Sequence, residues 1–99
     1  MVMAVCGELD LATSPALQEQ LERLGSTAAA LVILDLSQLE FIDSSGLSVV
    51  VGAHQRAAKD GWRFALVKGS PQVQQVMSLT GVAELLTVAE TVGELIGEA

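Results

Sequence analysis

The chain has 99 residues, which suits one compact domain spanning residues 1–99. Half of it is hydrophobic (51%), which predicts a packed core, and the longest apolar run, 28–34, is far short of the roughly 20 residues of a membrane-spanning helix. The net charge of −7 disfavours direct binding to DNA or RNA, because Lys and Arg supply most of the affinity for phosphates. We expect no secretory leader and no membrane partner, and the single cysteine, Cys6, fits a reducing cytoplasm.

The first quarter of the chain predicts one strand and one helix. The apolar segment 2–9 predicts a strand in which Cys6 is a small core residue. Ser14 and Pro15 are typical of a helix start, with Ser14 at the N-cap and Pro15 in the first turn. Leucines follow at spacings of four and three, so one face packs inward, and Gly25 ends the helix.

The centre of the chain predicts a buried strand, a short loop and the most regular helix. Residues 31–34 form a continuous β-prone run, typical of a strand covered on both faces. From Leu47 the hydrophobic period becomes helical, and Asp60-Gly61 ends that helix. The residues expected on its inner face are Leu47, Val50, Val51, His54 and Ala58.

The last part of the chain predicts two more strands, each followed by a helix. Residues 62–67 predict a strand, Ser70-Pro71 starts a helix, and Thr80-Gly81 stops it. A short strand near 85–88 precedes a final helix with capping-box spacing at 91–94. The inward-facing residues expected on these helices are Val73, Val76, Met77, Val92, Leu95 and Ile96.

Strands therefore alternate with helices along the whole chain. This order predicts an α/β fold: an open mixed sheet of about four strands flanked by about four helices, with right-handed crossovers between parallel neighbours.

A polar cluster, Asp43-Ser44-Ser45-Gly46, lies at the start of the most regular helix. Asp, Ser and Gly are common in plain helix caps, and that interpretation stays open. A serine at a helix N-terminus also faces unpaired N–H groups that suit a phosphate. Gly46 would let the backbone of another protein approach closely. The cluster therefore fits either a cap or a docking surface that carries a modifiable hydroxyl.

Three segments, taken together, resemble the STAS domains of bacterial anti-sigma factor antagonists. They are Gly7-Glu8-Leu9-Asp10 with the following Ala12-Thr13-Ser14-Pro15, then residues 36–47 around Asp43-Ser44-Ser45-Gly46, and finally Ser70-Pro71-Gln72-Val73 with Leu79-Thr80-Gly81. They occur in the family's order and cover nearly the whole chain.

The resemblance implies a mechanism of partner switching. The unphosphorylated antagonist binds an anti-sigma factor that is also a serine kinase, and this frees the sigma factor. The kinase phosphorylates the hydroxyl after the motif aspartate, here Ser44, and a PP2C-type phosphatase reverses the reaction. Asp10 and Asp43 are similar to acids that flank the family's docking surface, and we assign them to partner contact or local geometry. The residues expected to bind the partner are Asp10, Asp43, Ser44, Ser45 and Gly46. ATP belongs to the kinase, so this chain needs no cofactor.

Ser45 is an alternative phosphoacceptor, although an ordinary first-turn residue is the simpler interpretation. The chain also departs from the family in one respect, because related domains have another strand before the Gly7-Glu8-Leu9-Asp10 segment. We therefore expect a sheet that is one edge strand short, with either a homodimer at the uncovered edge or a truncated start.

Two other functions remain as alternatives. A serine hydrolase with Ser44 as nucleophile would need a base, but His54 lies about 15 Å away along the same predicted helix. We also see no metal-ligand cluster and expect no catalytic turnover. The second alternative is a STAS subunit of a stress-sensing or a lipid- or anion-transport assembly.

Overall fold

A computed structural model describes residues 2–25 and 31–97. Its elements, in chain order, are β1 (Val2–Ala4), β2 (Gly7–Leu9), α1 (Ser14–Gly25), β3 (Leu31–Asp35), β4 (Leu39–Ile42), α2 (Ser44–Asp60), β5 (Arg63–Val67), α3 (Pro71–Leu79), α4 (Val82–Leu85), β6 (Thr87–Ala89) and α5 (Val92–Ile96). The α/β class predicted from the sequence is confirmed.

The strands form two parallel sheets. One has four strands in the order β1-β3-β5-β6, and the other pairs β2 with β4. Every strand pair among the described residues is parallel, so the expectation of a mixed sheet was wrong. The two strands of every pair are separated in the chain by at least one helix, because a parallel partner requires a crossover connection. The central strand β3 is buried on both faces, as predicted.

The predicted first strand is broken into β1 and β2. Gly7 adopts a positive φ of 78°, and the pairing register shifts beside it. The Val5 N–H still donates to the Asp35 carbonyl of β3, whereas the Gly7 N–H donates to the Gln38 carbonyl that precedes β4. The segment thus leaves one partner strand for the other. Cys6 lies at this break and is exposed, so its predicted core position was wrong.

Strand β1 is an edge strand of the four-stranded sheet. Among the described strands it pairs only with β3, and Val2 is exposed. The missing edge strand and the homodimer expected from the sequence stay predictions.

The central helix has the predicted ends, but its buried face is shifted. It begins at Ser44, directly after Asp43 of the polar cluster, and Gly61 ends it in a left-handed conformation. Ala58, expected to face inward, is exposed, whereas Val49, Ala53 and Ala57 are buried. Strand β4 was not predicted, and only its two end residues, Leu39 and Ile42, are buried.

The C-terminal part follows the predicted order with one addition. Ser70 caps α3 through its hydroxyl, which accepts the Val73 N–H, and Val73 and Met77 are buried. The single turn α4 follows Gly81 and was not predicted. In α5 the Thr91 hydroxyl accepts the Glu94 N–H, as the capping box requires, but Ile96 is exposed and not inward-facing.

The buried core lies between the sheets and helices α1, α2 and α3. Its fully buried large side chains are Leu9, Leu21, Ile33, Leu34, Leu36, Leu39, Leu66 and Met77. Leu9 and Leu39 come from the β2–β4 pair, so this small sheet belongs to the same core as the large one. None of the helices in residues 2–25 and 31–97 is long and apolar enough to cross a bilayer.

Candidate docking site at the start of helix α2

Asp43 caps helix α2. Its Oδ1 accepts the N–H of Ser45 at 2.8 Å and that of Gly46 at 3.2 Å, and its carbonyl accepts the Leu47 N–H. The Asp43 N–H donates in turn to the Leu9 carbonyl at 3.1 Å. The expectation that the first-turn N–H groups are free for a phosphate must therefore be corrected, because a carboxylate already holds two of them.

Ser44 is the first residue of α2 and is exposed. It lines a cavity of about 380 Å³ that runs between α2 and the turn joining α3 to α4. The walls of this cavity are largely apolar, with Leu47 and Val51 on α2 and Val82 on α4. We call it the switch groove. A phosphate on Ser44 would place negative charge beside this apolar surface.

Gly46 is buried against the chain itself. A Cβ at this position would lie 2.8 Å from Leu9 Cγ, 2.9 Å from Ile42 Cγ1 and 2.9 Å from the Leu9 carbonyl oxygen. The close approach that requires glycine is therefore made by β2 and β4, and the expected approach of a partner's backbone at Gly46 is corrected. Ser45 is half-buried, and its N–H is held by Asp43.

Asp10 organises the turn before α1. Its Oδ1 accepts the N–H groups of Ala12 and Thr13 and the Thr13 hydroxyl, and its carbonyl accepts the Ser14 N–H. Of the two roles that the resemblance allowed, local geometry is the one visible here. The predicted N-cap role of Ser14 was wrong, since the Thr13 carbonyl accepts the Leu17 N–H and the Ser14 hydroxyl has no partner among the described residues.

The two predicted motifs meet at Leu9. This residue directly precedes Asp10, contacts the position of Gly46 and accepts the Asp43 N–H. Sequence reasoning did not single out Leu9, and the only available signal was its place inside the Gly7-Glu8-Leu9-Asp10 segment.

His54 does not join Ser44. Both lie on α2, about three turns apart, and His54 is half-buried in a different cavity beside Trp62. A base within hydrogen-bond reach of Ser44 is therefore not supplied by the histidine. The part of the chain that the structure describes contains no group of three or more His, Cys, Asp or Glu side chains suited to a metal ion.

The cap makes a testable contribution to stability. Replacing Asp43 with alanine removes the acceptor of two first-turn N–H groups, so we expect the free energy of unfolding to fall by about 0.5–2 kcal/mol. Urea denaturation followed by Trp62 fluorescence measures the change. The matched control is Asp60→Ala at the exposed end of the same helix, and an equal loss in both variants would contradict the capping role.

The fold is thus a parallel α/β domain in which an aspartate caps a helix start and the next serine is exposed beside an apolar groove. The chain belongs to the STAS domain family, whose sequence profile matches residues 1–95.

Known members support this assignment. The anti-sigma-B factor antagonist of Listeria monocytogenes is 28% identical over 94% of this chain and 82% of its own. An anti-sigma factor antagonist from Mycobacterium paratuberculosis superposes with a TM-score of 0.87 at 26% identity, over 97% of this chain and 81% of that chain. The structure of unphosphorylated SpoIIAA superposes with a TM-score of 0.81 at 27% identity, over 96% of this chain and 83% of that chain. The structure of phosphorylated SpoIIAA from Bacillus superposes with a TM-score of 0.72 at 26% identity, over 97% of this chain and 86% of that chain.

These relatives are regulatory binding proteins and not enzymes, which agrees with the expectation of no catalytic turnover. The STAS domain of a SulP transporter from Vibrio cholerae is also similar, with a TM-score of 0.69. At 21% identity over 92% of this chain and 73% of that chain, it shows the fold alone. Membership of a transport or stress-sensing assembly stays a prediction.

Proposed function

We propose that this protein is an anti-sigma factor antagonist that works by partner switching in the bacterial cytoplasm. In its unphosphorylated form it binds an anti-sigma factor that is also a serine kinase, and the sigma factor is released. Phosphorylation of Ser44 by that kinase ends the binding, and a PP2C-type phosphatase restores it. The observation that carries this proposal is the exposed Ser44, which directly follows the Asp43 cap and lines the switch groove.

The physical case for docking rests on the composition of this surface. Apolar side chains of Leu47, Val51 and Val82 line the switch groove, and Leu79, which precedes the lining residue Thr80 in the chain, is 79% exposed. Leu47 and Val82 are already buried in the core, so the half-buried Val51 and the exposed Leu79 offer the apolar area that a partner can cover. Covering that area is favourable, by roughly 25 cal/mol for each Å² removed from water. Ser44 lies within the same surface, so a partner seated there would cover its hydroxyl.

Under this proposal some residues of the two motifs contact the partner, and others hold the local structure that presents Ser44. Ser44 contacts the partner directly, whereas Asp43 and Asp10 hold the backbone turns that present it. Gly46 keeps β2 and β4 packed under the helix start. Ser45 stays the alternative phosphoacceptor, and it borders the cavity between α1 and α2.

The relatives give independent support. SpoIIAA has been solved in a phosphorylated form, so a protein of this fold and type does carry the modification. The sequence relatives from Listeria monocytogenes and Paenibacillus polymyxa are named for antagonism of anti-sigma factors, which makes an anti-sigma factor the first partner to test.

The proposal is tested by intact-mass analysis of protein purified from its own host, with phosphosite mapping and a Ser44→Ala control. We expect one added phosphate on Ser44, absent from the variant, and capture of a kinase-like anti-sigma factor by the unmodified form. A phosphate on Ser45 would move the switch by one residue. Capture of a membrane transport complex in place of an anti-sigma factor would contradict the proposed partner.

A further inference from the structure

A second cavity lies on the other side of helix α2. It has a volume of about 380 Å³ and runs between α1 and α2, and we call it the α1–α2 groove. This volume is within the range of small-molecule sites, which is roughly 300–1,000 Å³. It is separate from the switch groove, although Ser48 and Gly52 contribute to the walls of both.

Two residues that line this groove each carry a buried polar atom that lacks a hydrogen-bond partner among the described residues. Ser14 is 3% exposed, and its hydroxyl oxygen has neither a partner nor contact with solvent. Arg56 Nη1 is likewise buried and unpartnered. Leaving a buried polar group unsatisfied is costly, and the cost is greater for a charged one. Both residues line the α1–α2 groove, so a small side-chain rotation would bring each unpartnered group within reach of a ligand that supplies acceptors.

The remaining lining residues define what else the ligand needs. Gln18, Ser45 and Ser48 add further hydrogen-bonding groups, whereas Leu11, Pro15 and Val49 are apolar. A ligand with one polar head and a short apolar body would match both kinds of surface. Leu11 is 78% exposed, so part of this apolar surface is uncovered.

The charges favour a head group with a single negative charge. Arg56 is the only cationic side chain among the residues that line the groove, and a guanidinium pairs well with a carboxylate. Its Nη2 already faces Glu22 Oε1 at 3.9 Å, which is longer than a hydrogen bond. The protein carries a net charge of −7, which disfavours a doubly charged phosphate.

We propose that the α1–α2 groove binds a small organic monoanion, a carboxylate on a short apolar body, with Arg56 and Ser14 as the groups that recognise its head. This site does not depend on the function proposed for Ser44. The link between the two is that Ser45, whose N–H is held by Asp43, belongs to the wall of the groove.

The test is a titration of the ¹⁵N-labelled protein with hexanoate, followed by NMR. We expect saturable shifts of the amide signals of Gln18, Ser45, Ser48 and Gly52 and of the Arg56 side-chain signal. Acetate and hexanol each lack one half of the ligand, so each is expected to bind at least about tenfold more weakly than hexanoate. Inorganic phosphate is expected to be the weaker anion.

Variants identify the groups involved. Arg56→Gln should weaken hexanoate binding at least about tenfold, the loss expected when a charged hydrogen bond is removed. Arg63→Gln on β5 makes the same change in net charge away from the groove and should leave binding unchanged. Ser14→Ala removes only an unpartnered hydroxyl, so it tests the site independently should Arg56→Gln fail to fold, and it should weaken binding about three- to tenfold.

The proposal is overturned by any of four results: no saturable shift, equal binding of hexanol, equal or tighter binding of inorganic phosphate, or hexanoate binding that survives both groove variants. Because none of these readouts involves the anti-sigma factor, failure of this site would leave the role of Ser44 unaffected.

Discussion

Replacing Ser44 with aspartate is expected to weaken binding to the anti-sigma factor by about a hundredfold, measured by isothermal titration calorimetry. The new carboxylate stands next to Asp43, whose own carboxylate is fixed by two N–H groups and cannot turn away without losing them. Phosphorylation adds up to about two charges at the same place, so its effect should be at least as large.

The magnitude follows from the water that a docking partner removes. Two like charges at about 4 Å repel by about 1 kcal/mol in water and by about 4 kcal/mol at an effective dielectric constant of 20. When a partner covers the switch groove, the surroundings of residue 44 change from water toward the lower effective dielectric constant. The difference of about 3 kcal/mol corresponds to roughly a hundredfold in affinity.

Ser44→Asn is the matched control, because asparagine has the size of aspartate without its charge. We expect it to lose much less affinity, and we expect higher salt to narrow the gap between the two variants. Equal losses in both variants would show that Ser44 acts through its shape or its hydroxyl. Unchanged binding in both would place Ser44 outside the interface.

Replacing Gly46 with alanine is expected to lower the free energy of unfolding by about 1–3 kcal/mol. The new Cβ would approach the Leu9 carbonyl oxygen to 2.9 Å, and this oxygen cannot retreat cheaply because it accepts the Asp43 N–H. Side-chain movement could relieve the contacts with Leu9 Cγ and Ile42 Cγ1, but not this one. Urea denaturation with Trp62 fluorescence measures the loss.

Gly52→Ala provides a control on the same helix. A Cβ at Gly52 meets nothing within 4 Å, so alanine should gain its helix propensity and raise the stability by up to about 1 kcal/mol. The two substitutions are therefore expected to have opposite signs. A stabilising Gly46→Ala would contradict the close packing of α2 on Leu9.

Elements with strong local signals could be predicted from the sequence. Helix α3 is an example, because Ser70-Pro71 and Thr80-Gly81 mark its two ends through capping chemistry that involves only neighbouring residues. The break between β1 and β2 could not be predicted, because it depends on which strand lies alongside. β3 ends at Asp35 and β4 begins at Leu39, and the first segment pairs with each in turn.

The candidate site divides in the same way. The Asp43-Ser44 pair and its place at a helix start followed from residue types and from the resemblance. The anchoring of the cap and the role of Gly46 did not, because both depend on Leu9, which is distant in the chain and is brought beneath the helix only by the β2–β4 pairing. The α1–α2 groove could not be predicted from the sequence either, since the Ser14 hydroxyl was expected to make a capping hydrogen bond that it does not make.

The all-parallel arrangement of the described strands bears on how the chain folds. No pair can be closed by a tight hairpin turn, so every pairing must wait for a longer stretch of chain to return. Loop-closure entropy is lost before such non-local contacts form, which makes folding slower than in a helical protein of this size. The turn that presents Ser44 needs Leu9 beneath it, so its final geometry exists only in the folded chain. A partner or kinase that recognises this geometry would therefore not bind a nascent or unfolded copy of the chain.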